Sequence, residues 1–251
     1  MEKSADIFRF KQFSIVNERS AMKVNTDGVL LGALMTILPE DRNFLDIGTG
    51  TGTIALMAAQ RLMHNNERKH IDAIDIDGPS ATEAASNFRN SSWSDILHAH
   101  HTSLDEFSTQ IADSSDFGQR YDLIFSNPPY FDNALQAPEE RRNAARHTST
   151  GLSYREILDF ASSHLTARGR VALVLPADTE LDLTRHARMS GLHLQKITRI
   201  RTVPRKAPSR IVAEFSRQRT SSPADSILTI QDGGQYTQEY LDLMHEFYLF
   251  A

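Results

Sequence analysis

The sequence predicts an α/β fold: a doubly wound, mostly parallel, seven-stranded sheet that closes with an antiparallel C-terminal hairpin. Short apolar runs of strand length recur at FLDIG (44–48), IDAIDI (71–76), DILHAHH (95–101), YDLIF (121–125) and VALVLP (171–176). Helix-like segments such as TIALMAAQRLM and SYREILDFASSHL lie between them, and strands alternating with helices build a parallel sheet with helices on both faces. Near the end the pattern changes. LHLQKITRIRTV (192–203) and SRIVAEFSRQ (209–218) are joined only by a short PRKAP loop, which fits a hairpin and not another crossover.

A chain of 251 residues with 40% hydrophobic content can fill a substantial core, and with no internal repeat the simplest partition is one domain over 1–251. Residues 1–40 read as an N-terminal flap too small to fold alone, on a core spanning 41–251. There are no cysteines, which excludes disulfides and thiolate-metal sites and makes a cytoplasmic location the expectation. The polar, charge-broken start MEKSADIFRFKQF has no apolar core of a leader peptide, and no stretch approaches the roughly 18 apolar residues that span a bilayer. A soluble chain with no membrane partner is expected, with a monomer as the simplest state. A formal charge of −5 argues against a protein that coats nucleic acid indiscriminately, although it can hide a local basic face.

In the flap, the first part of FRFKQFSIVNERSAMKVNTDGVLLGALMTIL reads as extended and the last part, Asp27 to Leu38, as helical. The first parallel strand runs into FLDIGTGTGTIALM, where Gly48, Gly50 and Gly52 allow a tight turn and close approach of backbone to a ligand. Asp46 stands just before the first glycine. The spacing is G-x-G-x-G, different from the G-x-G-x-x-G of dinucleotide enzymes. The second strand ends at AIDID and puts Asp75 about two dozen residues past the glycines, where doubly wound nucleotide binders place a carboxylate for the ribose hydroxyls. Asp77 is the rival for that role, but it reads better as the N-cap of the next helix, with Pro79 in its first turn. Alternation along the third strand points His98 and His100 one way and His101 the other, so a shared metal site is not expected. TSSPADS (220–226) reads as a surface connection.

After the fourth strand comes SNPPYF (126–131). Pro128 and Pro129 have no N–H to donate, so the strand ladder must end there, at the edge where open α/β sheets bind ligands. A planar amino group has two N–H donors. Asn127 Oδ1 and the Pro128 carbonyl could accept both, with the Tyr130 ring stacked on the attached aromatic plane.

DIGTGTG, the acid ending the second strand and NPPY after the fourth together resemble the class I S-adenosylmethionine-dependent methyltransferases that modify planar nitrogens, whose core is Rossmann-like. FRFKQFSI, MKVNTDGVLLGA, NPPYF with RNAARH downstream (142–147), the basic hairpin and the final YTQEYLDLMHEFYL are similar, more narrowly, to the bacterial tRNA1(Val) (adenine-N(6))-methyltransferase family, which acts on the adenine beside the anticodon. That resemblance implies S-adenosylmethionine as cofactor and tRNA as partner. It implies a catalytic turn of Asn127, Pro128, Pro129 and Tyr130, and a cofactor site made by Lys23, Asp27, Asp46, Gly48, Thr49, Gly50, Gly52, Asp75, Ile76, Ser103, Leu104 and Asn127. Relatives often hold the cofactor's adenine amine with an acid just after the third strand; here either Ser103 with a backbone amide or Asp105 does so. RNA contacts are expected from Phe131, from Arg141, Arg142, Arg146 and His147, and from Arg201, Arg205, Lys206 and Arg210. The last four belong to a stretch, 196–219, with eight Lys or Arg and one Glu. Such a cluster can bind phosphates or can guard an edge strand.

Relatives of the NPPY type also methylate rRNA guanine, DNA adenine or release-factor glutamine. Two readings from other classes stand beside these, an NAD-type dehydrogenase and an RNA-binding scaffold without catalysis. The C-terminal stripe of Tyr240, Leu243, Met244, Phe247 and Tyr248 reads as core packing.

Overall fold

An eight-stranded sheet forms the centre of the computed structural model, which describes residues 6–20, 22–62, 69–113, 120–129 and 152–251. Its strands are β3 (Asn43–Ile47), β4 (His70–Asp75), β5 (Leu97–His101), β6 (Tyr121–Ser126), β7 (Leu165–Pro176), β8 (His193–Arg201), β9 (Arg210–Ser216) and β10 (Ala224–Thr229). They lie in the order β10-β8-β9-β7-β6-β3-β4-β5, and only β9 runs antiparallel to its neighbours. The chain builds outward from β3 to β5, then returns to place β6 on the other side of β3. That reversal is the switch point, so the loops after β3 and β6 lie side by side at the carboxyl edge.

Alternation along the buried strands divides the core in two. Phe44, Ile71, Ala73, Leu123 and Phe125 face α1 (Thr26–Leu34), α2 (Thr53–Leu62) and α3 (Gly78–Arg89). Leu45, Ile47, Ile74, Ile124 and Leu173 face α4 (Leu104–Asp113), α5 (Tyr154–His164) and α6 (Glu180–Met189). The C-terminal stripe packs as read: Tyr240 and Met244 of α7 (Gln238–Met244) and the following Phe247 are buried. No helix among the described residues is long and apolar enough to cross a membrane.

The expected hairpin is β8–β9, whose strands pair antiparallel from His193↔Ser216 to Ile200↔Arg210. The sheet has one strand more than expected. TSSPADS is not all connection, because Ala224, Asp225 and Ser226 begin β10, which pairs parallel with β8. This edge strand is mostly exposed, so it carries none of the apolar density that marks the inner strands.

In the flap, β1 (Ile7–Arg9) and β2 (Ser14–Val16) pair antiparallel. The helix ends at Leu34 instead of Leu38. Thr36 leaves the helical path because its N–H and hydroxyl both donate to the buried Glu214 Oε1 (2.9 and 3.0 Å), and Pro39 disfavours helix at Leu38.

Candidate active site

At the carboxyl ends of β3, β4 and β6 a cleft of about 380 Å³ is lined by Gly48, Gly50, Asp75, Ile76, Ser103, Leu104, Asp105, Asn127 and Pro129, among others. Its size falls in the range of small-molecule sites. One wall is the flap, through Ser20 and Met22, and the opposite rim carries Leu152 and Glu156.

The glycine turn is held by backbone bonds. Gly48 and Thr49 both donate N–H to the Ile74 carbonyl (2.9 and 3.0 Å), and Gly50 N–H donates to Asp75 Oδ2 (2.8 Å). Gly50 has φ +56°, a left-handed conformation that favours glycine, and a Cβ there would only touch Ser20 Oγ (3.4 Å) and the Met22 carbonyl (3.5 Å) of the flap. Gly52 has a different task. A Cβ on it would lie 2.4 Å from the Phe88 ring, so it allows α3 to pack against the loop and does not line the cleft.

Asp75 receives a second bond from Asp77 N–H (2.9 Å), and burial raises its carboxyl above the ordinary value. Asp77 is the N-cap expected of it, accepting from Ser80 N–H at 2.9 Å. Asp46 is fully buried beneath the turn. Its Oδ2 accepts from the Thr49 hydroxyl (2.8 Å), while Oδ1 has no hydrogen-bond partner among the described residues. Burial, with the negative charge of Asp75 adding to it, pushes the Asp46 carboxyl up to about 7.

Beside the glycine turn, β6 ends at Ser126 and the chain enters Asn127, Pro128 and Pro129. Ser126 donates its hydroxyl to the Ile47 carbonyl (2.6 Å), tying the two loops together. Asn127 is buried to 6% exposure; its Nδ2 donates to Asn25 Oδ1 (3.3 Å) and lies 3.7 Å from Met22 Sδ. Pro128 is buried and Pro129 is exposed on the cleft. Tyr130, Phe131, Arg141, Arg142, Arg146 and His147 lie outside the described residues.

The remaining residues expected at the site divide. Thr49 and Lys23 line a small cavity of about 30 Å³ next to the cleft, with Asn25 and Asn127; the Lys23 ammonium pairs with Asp6 (2.6 Å). Ile76 is 72% exposed and offers an apolar shelf in the cleft. Ser103 and Glu106 cap α4 reciprocally: Ser103 N–H donates to Glu106 Oε2 (3.1 Å) and Glu106 N–H to Ser103 Oγ (3.2 Å). Asp27 is not in the cleft. Its carboxylate accepts from Arg210 Nε (2.8 Å), so this pair joins a residue expected at the cofactor to one expected at the RNA.

Most cations of the basic hairpin are engaged within the fold. Lys196 donates to the Leu34 carbonyl, Arg199 pairs with Glu180 and Asp225, Arg201 donates to Thr229 Oγ1 and the Pro204 carbonyl, and Arg217 donates to Ser162 and Leu165. Arg205 and Lys206, at the tip, are exposed.

Sequence reasoning missed the residues that close the flap. Glu83, buried on α3, accepts N–H bonds from Glu18 (2.9 Å), Arg19 (2.7 Å) and Ser20 (3.1 Å). Asn87 bonds both the N–H and the carbonyl of Val16. Nothing local marks these two. Asn25 and Glu156 did carry a signal, Asn before the helical T-D-G run and Ser153-x-x-Glu156 as a capping box. His98 and His100 share a face, as alternation requires; His100 Nε2 bonds the buried Asp72 (2.8 Å) and His98 stacks on His70.

The methyltransferase small domain family matches residues 26–189. The tRNA1(Val) (adenine(37)-N6)-methyltransferase of Flavobacterium johnsoniae is 39% identical over 97% of this chain and 99% of its own length. The protein of the same name from Vibrio vulnificus is 38% identical over 96% and 95%. Among solved structures, one from Agrobacterium tumefaciens described as a predicted O-methyltransferase superposes with a TM-score of 0.62 at 14% identity, covering 88% of this chain and 96% of that one. At that identity the likeness speaks for the fold alone.

Proposed function

Because the chain belongs to the methyltransferase small domain family, we propose that it moves the methyl group of S-adenosylmethionine to the exocyclic 6-amino group of an adenine in tRNA, the adenine beside the anticodon of valine tRNA. The substrate follows the names of relatives similar over nearly the whole chain. One observation carries the chemistry: the Asn127 amide and the Gly48–Gly50 turn with Asp75 open on the same cleft.

The residues fit the cofactor. Asp75 supplies a carboxylate for two ribose hydroxyls, Ile76 and Leu104 supply apolar surface for an adenine, and Gly48 and Gly50 present backbone to the cleft. Ser103 is engaged in capping α4, so Asp105, exposed on the cleft rim, is the acceptor for the adenine amine of the cofactor.

When bound, S-adenosylmethionine supplies an electrophilic methyl group on a sulfonium sulfur. Asn127 Oδ1 and the Pro128 carbonyl accept from the target amine and favour a nitrogen whose lone pair is directed at that methyl. No strong base is needed, since the proton can leave after transfer; the gain is in positioning and orientation. Reaching the site requires the adenine to leave its stack at a cost of a few kcal/mol. Tyr130 and Phe131, next in sequence, bring rings that offset part of it by stacking. Arg205 and Lys206 at the hairpin tip contact phosphate, and the flap and core act as one domain, since Ser20 and Met22 complete the cleft.

The test is transfer of tritiated methyl to tRNA, followed by mass mapping of modified nucleosides in tRNA from cells with and without the protein. N6-methyladenosine beside the anticodon that disappears with the protein is the expected result. Methylation of rRNA or protein in its place would redirect the assignment, and hydride transfer or absence of cofactor binding would end it.

A further inference from the structure

We propose that Asn25, in the flap, is a positioning residue that fixes which edge of the Asn127 carboxamide faces the substrate. The two edges of a carboxamide have opposite chemistry, an acceptor oxygen and a donor NH2, and a half-turn about the last side-chain bond exchanges them. Accepting from an exocyclic amine requires the oxygen. Asn127 Nδ2 is directed to the flap, where Asn25 Oδ1 accepts from it at 3.3 Å and Met22 Sδ lies 3.7 Å away. The carbonyl oxygen is therefore the edge turned away from the flap.

Asn25 can impose this because it is itself held at both edges. Its Oδ1 accepts from Gly28 N–H (2.9 Å) as the N-cap of α1, and its Nδ2 donates to the Lys23 carbonyl (3.1 Å). A flipped Asn127 would set one carbonyl oxygen against another in a site where Asn127 is nearly buried, and the lost bond and the repulsion both oppose it. The flap that carries Asn25 is anchored on its other side by Glu83 through three backbone N–H groups. Orientation of the acceptor thus depends on a closed flap. The inference rests on the reading that Asn127 accepts from the target amine, but its geometric part can be measured without activity.

Three substitutions separate capping from orientation. Asn25→Ser caps a helix but is too short to reach Asn127; Asn25→Gly is a tolerated N-cap without a side chain; Asn25→Asp keeps an acceptor for both Gly28 and Asn127. On the full chain labelled with nitrogen-15, the Asn127 side-chain NH2 resonances, assigned by their loss in Asn127→Ala, are expected to shift in Asn25→Ser and Asn25→Gly and to stay near wild type in Asn25→Asp. Single-turnover methylation should fall about tenfold in Asn25→Ser, the worth of one hydrogen bond at an oriented group. S-adenosylmethionine affinity should be unchanged, Asn25→Asp should restore the rate, and Asn25→Ser should add nothing in an Asn127→Ala background. Resonances that stay at their wild-type positions in both Asn25→Ser and Asn25→Gly overturn the proposal, as does an additive double mutant. Resonances that move while wild-type protein transfers no methyl to tRNA would leave the orientation standing and remove the function proposed for it.

Discussion

Arg210 Nε donates to Asp27 Oδ2 at 2.8 Å, joining the first residue of β9 to the first turn of α1. The pair is partly buried and links the flap helix to the hairpin, so it holds structure together and is worth about 1 kcal/mol. Asp27→Asn and Arg210→Gln should each lower the urea midpoint, and the double variant should lose no more than either alone. Arg210→Gln should leave the salt dependence of tRNA binding as it is; a slope reduced by about one would show that Arg210 leaves Asp27 for a phosphate.

Of the hairpin cations expected to meet RNA, Arg205 and Lys206 are the exposed pair. Reversing both charges should raise the tRNA dissociation constant and reduce its salt slope by about one for each cation, with S-adenosylmethionine affinity unaffected. An unchanged slope would make the hairpin a solvated edge.

On the proposed mechanism, Asn127→Ala removes one acceptor from the target amine and leaves Asp75 and the hairpin in place. Its single-turnover rate at saturating cofactor and tRNA should drop on the order of a hundredfold, with both binding constants nearly constant. A rate close to wild type, or a defect confined to cofactor affinity, would make the N-P-P turn structural.

Asp75→Ala removes a charged acceptor, a change that costs roughly 1.5–3 kcal/mol where such groups meet donors. By calorimetry, S-adenosylmethionine should bind one to two decades more weakly, in proportion to that cost. Wild-type affinity would refute the ribose assignment.

Asp46 gives a pH signature in the cofactor-free protein. Its carboxyl rises from 3.8 in the unfolded chain to about 7 when buried, so between those values the native state holds a proton that the unfolded chain has released. Its contribution to stability is therefore greatest at low pH, falls as pH rises through about 7 and is level above that. Asp46→Asn keeps the shape without the ionisation. Urea unfolding at about pH 5 and about pH 8 should show a smaller loss over that interval in the variant than in the wild type. Equal losses would mean that Asp46 does not titrate there.

The parallel strands, the closing hairpin and the turns at the carboxyl edge were legible because they depend on short stretches. Apolar runs of strand length marked the inner strands, and Gly48, Asp75 and Asn127 each stand at a strand end that local pattern locates. Where a segment lacked apolar density, as in β10, or where a distant side chain drew the backbone out of a helix, as Glu214 does at Thr36, the pattern gave no warning.

By itself, then, the sequence determined the α/β class, the glycine turn, the acid at the end of the second parallel strand and the amide at the end of the fourth, since each follows from steric and hydrogen-bonding rules acting over a few residues. Only the tertiary structure decided which of the hairpin's cations find partners inside the fold. Lys196, Arg199, Arg201, Arg210 and Arg217 look alike in sequence to Arg205 and Lys206, yet folding brings carboxylates and carbonyls to the first five. The same holds for the flap. Asn25 and Asn127 are 102 residues apart, and Glu83 lies 63 residues from Ser20, so these bonds exist only once the helices have packed on the sheet. A side chain's type is local, but its partner is fixed by where the fold closes.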